Sequence, residues 1–128
     1  MRSKEKALLV AELAKAKLAE DVVILDMRKV SSITDFFVIA SASSTKRCQS
    51  IAENIESGLS EKNKSVSRIE GYQEGLWVLV DAYEVVAHIF HVDIRKFYNL
   101  EGLWGDALRI KLCHKKKKTL SKKTSKRK

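Results

Sequence analysis

Cysteine is scarce in this chain: Cys48 and Cys113 are the two among 128 residues. Two thiols cannot build a disulfide framework, and a reducing cytoplasm is the expected compartment. No apolar run approaches the roughly 20 residues a membrane span needs. No apolar signal-peptide core follows Met1-Arg-Ser-Lys-Glu-Lys6, and Glu5, Glu12 and Glu20 argue against a transit peptide. Paired carboxylates two apart on a strand, which a nucleotide-transfer site needs to hold its metal, are missing; Asp26 and Asp35 stand isolated. His88 and His91 do not replace them, because strand positions three apart point to opposite faces. Cys113-His114 has no second ligand pair beside it, which leaves no zinc pattern. The expectation is a protein without catalytic residues, cofactor or metal.

Acidic residues are missing from the last 20 positions. Residues 1–106 hold all 16 acidic residues against 14 basic ones, a net charge of −2, whereas Arg109–Lys128 holds 11 basic residues and no acid. The body is slightly acidic and the tail is a polycation. Only the tail predicts affinity for nucleic acid, salt-sensitive and sequence-blind. The tail has no Phe, Tyr or Trp, so base stacking is unavailable to it. Lys115, Lys116, Lys117 and Lys118 are its candidate RNA contacts, against the alternative of a solvated run.

What is present is one domain's worth of sequence, with a 45% hydrophobic share. A helix is expected over Ser3–Leu18, capped by Ser3, with Ala7, Val10, Ala11, Ala14 and Leu18 on one face. Val22–Met27 and Asp35–Ser41 read as strands apolar on both faces. Ser41-Ala-Ser-Ser44 precedes a helix. It lacks the glycines that let a backbone approach a phosphate, so Ser44 reads as an N-cap. Cys48, Ile51, Ala52, Ile55 and Leu59 then make a helical stripe to about Leu59, weakened at Gly58. Cys48 reads as a core residue. Val66–Glu70 is a short strand, and Gly71 to Gly75 a loop.

The chain is organised around Glu70–Trp104. Leu76–Ala82 and Val85–Phe90 alternate as paired strands across a short turn. Trp77, Leu79 and Asp81 share one face, opposite Leu76, Val78 and Val80; Val86, His88 and Phe90 alternate with Val85, Ala87 and Ile89. Val92 to about Tyr98 is expected to be helical with Asp93 as cap, and Leu100–Ala107 a short helical turn. The order α-β-β-α-β-β-β-α implies an α/β fold, a mixed five-stranded sheet with helices on both faces. Residues 1–112 form the globular domain and 113–128 a Lys-rich tail expected to be disordered. Trp77 with Asp81, and Tyr98, Leu100, Glu101 and Trp104, place rings beside carboxylates, which suits docking better than catalysis. The competing reading buries these rings under a helix.

These residues resemble the Iojap family of ribosomal silencing factors, over roughly Ala7 to Asp106. The resemblance is carried by Ser32-Ile-Thr-Asp-Phe-Phe-Val-Ile39, Ser44, Ile51-Ala52, Glu70-Gly71, Trp77-Val-Leu-Val-Asp81, Val85-Val86 and His88. It continues in Arg95, Tyr98, Leu100, Glu101, Leu103 and Trp104. It implies a nucleotidyltransferase-like fold without the catalytic carboxylates, and a non-enzymatic factor. Such a factor binds ribosomal protein fourteen of the large subunit and blocks small-subunit joining, repressing translation when nutrients are scarce. A homodimer in the free state is also implied. The alternatives are a large-subunit assembly factor, a tail-driven RNA-binding protein and an active nucleotidyltransferase. The chain departs from the family pattern at Tyr83 and Ala42, where glycine is usual, and at Lys46, where arginine is common. The Tyr83 departure predicts a longer or reshaped hairpin loop.

Overall fold

The computed structural model describes residues 2–98 and 108–110. Among these, nine elements follow one another: α1 (Ser3–Lys15), β1 (Glu20–Asp26), β2 (Phe36–Ala42), α2 (Thr45–Glu61), β3 (Arg68–Glu70), β4 (Trp77–Ala82), β5 (Val85–His91), α3 (Val92–Tyr98) and β6 (Leu108–Ile110). The strands form one mixed sheet in the order β3-β4-β5-β2-β1-β6. β2 and β5 pair in parallel at its centre and the other pairs are antiparallel. The five expected strands are all present. The sixth, β6, adds to the outer edge of β1. Three residues of Leu-Arg-Ile beside a polycationic tail carry too short a pattern to be read as a strand.

Strand alternation divides the core in two. Val78, Val80, Ala82, Val85, Ala87 and Ile89, with Ile24, Phe36, Val38, Ala40 and Ala42, turn one sheet face toward α1 and α2. The α2 stripe of Cys48, Ile51, Ala52, Ile55 and Leu59 and the α1 stripe of Ala7, Val10, Ala11 and Ala14 seal it. Leu25, Met27, Ile39 and Phe90 belong to the other face, where Ile94 of α3 packs against them. Burial pushes the Cys48 thiol up to about 11, so it serves as packing.

The terminal assignments of Ser3, Leu18 and Asp93 differ from expectation, each with a hydrogen bond the sequence does not display. Ser3 is the first helical residue instead of the cap; the Glu5 carboxylate accepts the Arg2 N–H at 3.1 Å. Leu18 leaves the helical face. The chain turns left-handed there (φ 65), Ala19 N–H reaches back to the Ala14 carbonyl, and Leu18 is 66% exposed. α2 runs to Glu61, close to the end expected near Leu59, and Gly58 lies within it; its missing side chain admits Leu13 of α1, which would lie 2.4 Å from a Cβ. Asp93 is inside α3, and His91 Nδ1 accepts its N–H at 3.2 Å. Ser44 caps α2 as expected, accepting the Arg47 N–H at 3.1 Å.

The hairpin turn is not lengthened. Ala82 pairs with Val85, leaving a two-residue turn of Tyr83 and Glu84. Tyr83 itself takes the positive φ of 71°. The Asp81 carboxylate accepts the Tyr83 N–H at 3.0 Å, which offsets part of the strain of a bulky residue in that region. Ala42 ends β2 fully buried and without a positive φ, so no glycine is required there. Lys6, buried on α1, donates to the Ala82 carbonyl at 2.6 Å and to Glu84 at 2.9 Å, tying the N-terminal helix to this hairpin.

Candidate docking face

The sheet face turned away from α1 and α2 is the candidate functional surface. Register brings Trp77, Leu79 and Asp81 of β4 beside Phe90, His88 and Val86 of β5, and these beside Ser41, Ile39 and Phe37 of β2. Phe90, His88 and Ile39 are buried, while Trp77, Leu79, Val86 and Phe37 are only partly covered. Among the described residues α3 is the one helix on this side. Beyond Trp77 the surface ends at the short edge strand β3, whose charged Arg68 and Glu70 discourage further strand pairing.

Trp77 is held in place at several points. Its ring lies 4.9 Å from that of Phe90, tilted 33°. Its Nε1–H donates to Nδ1 of His88 at 3.2 Å. The two residues are diagonal neighbours across strands, since Trp77 faces Phe90 and Leu79 faces His88. Phe37 meets the imidazole edge-on at 4.5 Å. Behind the start of β4, Gly71 (φ 75) comes so close to the Trp77 carbonyl that a Cβ would lie 2.2 Å from its oxygen. Glu70, Gly71, Trp77 and Leu79 line a shallow concavity of about 280 Å³.

His88 is the buried polar centre of this face, 6% exposed. Because Nδ1 accepts from the indole, the neutral ring carries its proton on Nε2, which has no hydrogen-bond partner among the described residues. Burial among Trp77, Phe37 and Phe90 pushes its pKa down to about 4, so the ring is neutral at pH 7. The sequence places His88 on a strand face with Val86 and Phe90 without naming a partner, and so misses this network. The signal was the alternation of Val86, His88 and Phe90 opposite that of Trp77, Leu79 and Asp81.

Asp81 is half-buried. One oxygen accepts the Tyr83 N–H and the other lies 3.9 Å from Arg68 of β3. Its carboxylate shapes the turn and keeps acceptor capacity facing outward. Asp35 acts through its backbone: its N–H donates to the Glu84 carbonyl at 2.9 Å and its carbonyl accepts from Met27 at 2.8 Å. Arg95 of α3 donates to the Asp21 carbonyl at 2.7 Å and to Ser41 Oγ at 3.1 Å, pinning α3 to the bulged start of β1. Tyr98 is the last residue of α3. Leu100, Glu101 and Trp104, the turn expected at Leu100–Ala107, and Lys115, Lys116, Lys117 and Lys118 lie outside the described residues.

Among the described residues no group of three His, Cys, Asp or Glu side chains could hold a metal ion, and no helix is long and apolar enough to cross a membrane. The geometry defines a small α/β domain with one aromatic and aliphatic sheet face that is only partly covered. Residues 1–128 match the family described as ribosomal silencing factor during starvation, and the chain belongs to that family. The ribosomal silencing factor RsfS of Halalkalibacterium halodurans is 42% identical over 112 residues, covering 88% of this chain and 96% of the relative. RsfS of Bacillus subtilis is 47% identical over 91 residues, covering 71% and 77%. A crystal structure of a Chromobacterium violaceum protein superposes with a TM-score of 0.80 at 30% identity, covering 82% of this chain and 88% of the other.

Proposed function

We propose that this chain represses translation under nutrient limitation. It binds the large ribosomal subunit through that subunit's ribosomal protein fourteen, and its bulk keeps the small subunit from joining. It acts by occupancy, without catalysing a reaction, in the cytoplasm, and forms a homodimer when free. The observation that carries this reading is the sheet face of Trp77, Leu79, Val86 and Phe37, apolar yet only partly covered, in a chain that belongs to the silencing-factor family. A partly exposed tryptophan held by ring packing and one hydrogen bond loses little freedom on docking. Asp81, with Glu101 beyond the described residues, supplies negative charge to meet Arg or Lys on the partner, which sets register and on-rate more than affinity. Tyr98, Leu100 and Trp104 extend the apolar contact in this proposal.

Co-sedimentation with purified large subunits tests it, using wild type, Trp77→Ala and Glu101→Lys. Both variants are first checked for native circular dichroism and a single unfolding transition. Wild type is expected to bind stoichiometrically, and Trp77→Ala to lose roughly 30-fold in affinity, the loss of about 2 kcal/mol typical of an aromatic anchor. A subunit-joining assay then reads fewer joined ribosomes as the factor is added. Folded variants that bind as wild type does would place the partner on another surface.

A further inference from the structure

We propose that the folded body carries its own contact surface for the phosphate backbone of RNA, separate from the tail, where α1 stops and α2 starts. A concavity of about 350 Å³ lies there, lined by Lys17 and Leu18 after α1 and by Ser44, Lys46, Arg47 and Ser50 of the α2 start. Three cations, one just after α1 and two on α2, line it, and among the described residues no carboxylate does. Among the described residues, none of these three side chains has an ion-pair or hydrogen-bond partner. The ion pairs of the described residues use Lys6, Arg28, Arg68 and His91 instead.

Their placement runs against the stability of the fold. The first turn of α2 contains no acidic residue. It holds Lys46 and Arg47, cations at the positive end of a helix dipole, where positive charge is unfavourable. Lys17 adds a third positive charge from the neighbouring turn, where the backbone is already left-handed at Leu18. Charges that repel one another and the helix, and that the chain leaves unneutralised, are accounted for by an external polyanion. Among the described residues no aromatic ring lines the concavity, so the contact is to phosphates and does not read bases. The concavity belongs to the helix layer and the docking face is the sheet's other side, so both can be occupied together. The choice of RNA as the polyanion rests on the proposed ribosomal role; the interaction itself is measurable without ribosomes.

The test is reductive methylation of the full chain, with and without a short mixed-sequence RNA duplex, read site by site by mass spectrometry. Lys17 and Lys46 are expected to be protected several-fold. Lys29 and Lys62, outside the concavity, should label at unchanged rates. The protection should fade as salt rises from about 50 to 200 mM. In parallel, the variant carrying Lys17→Ala, Lys46→Ala and Arg47→Ala should flatten the slope of log affinity against log salt by about 2 to 3, at about 0.7–0.9 for each phosphate no longer neutralised. Unprotected Lys17 and Lys46 beside protected tail lysines, with an unchanged slope in the variant, would overturn the proposal and assign all phosphate binding to the tail. Protection by the duplex without co-sedimentation on large subunits would uphold this surface and refute the ribosomal docking reading. Co-sedimentation without protection would do the reverse.

Discussion

His88 shows how a single side chain can tie stability to pH and to the docking surface at once. Its pKa is held near 4 in the fold by burial, below the ordinary histidine value of 6.5. A pKa lowered by folding means that the unfolded chain binds the proton more tightly. The stabilisation is therefore complete above about pH 6.5 and is lost progressively as pH falls toward 4, by about 3 kcal/mol in all at 1.36 kcal/mol per unit. Urea midpoints measured from pH 7.5 to 4.5 should fall for wild type and fall less for His88→Phe, with native carboxylates contributing equally to both. The same variant removes the acceptor of the Trp77 indole and should red-shift tryptophan fluorescence as that ring reorients. A wild-type slope that His88→Phe reproduces would show that the ring's burial is not what drives the pH dependence. Asp26 illustrates the opposite direction. Its carboxyl is held below the usual range by the Arg28 guanidinium, so its contribution is present above its unfolded pKa and lost in acid.

At the level of elements, the β4–β5 hairpin is braced from both sides. Lys6 reaches it from α1 and donates to the Ala82 carbonyl and the Glu84 carboxylate. The Thr34 hydroxyl and the Asp35 N–H both donate to the Glu84 carbonyl. Lys6→Ala leaves a buried carbonyl without its donor and should cost about 2 kcal/mol, the range for a hydrogen bond to a charged group. Hydrogen exchange should locate the loss in α1 first, because this interaction and its packing on α2 and the sheet are what dock that helix. Uniform loss of protection across the sheet would instead mean that α1 and the sheet open as one unit. The boundaries of α1 show the limit of reading elements from pattern. Leu18 sits at the correct helical spacing, yet the helix has already ended at Lys15 and a left-handed turn has rotated Leu18 into solvent. Periodicity reports which face is apolar, not where backbone hydrogen bonding stops.

At the scale of the whole molecule, charge and shape are divided between parts. The body carries −2 over residues 1–106 and Arg109–Lys128 carries +11. With phosphate binding proposed on both, deleting Lys115–Lys128 should lower affinity for large subunits and flatten the salt dependence without abolishing either. Complete loss of binding would make the tail the dominant site and displace the sheet face from the proposal. The sheet bears on the two readings open for Trp77 by its layering. α1 and α2 both lie on the face of Val78 and Val80, so Trp77 is not buried beneath either of them.

Hydrophobic alternation, helical spacing and turn chemistry determined β1 to β5 and the helices, their order and which residues share a sheet face, because these depend on neighbours one to four positions away, whereas β6 was too short to be read. The Ser44 cap and the core role of Cys48 were legible from the same near neighbours, and the split between a slightly acidic body and a basic tail follows from counting charges. Only tertiary structure decided strand order, since pairing β2 with β5 in parallel joins segments more than forty residues apart. It also decided that His88 Nδ1 accepts a hydrogen bond from the Trp77 indole N–H, that Arg95 pins α3 to β1, and that Lys17 meets Lys46 and Arg47 in one concavity. Each depends on side chains meeting across elements. One-dimensional pattern records the faces they occupy and not the partners they find there.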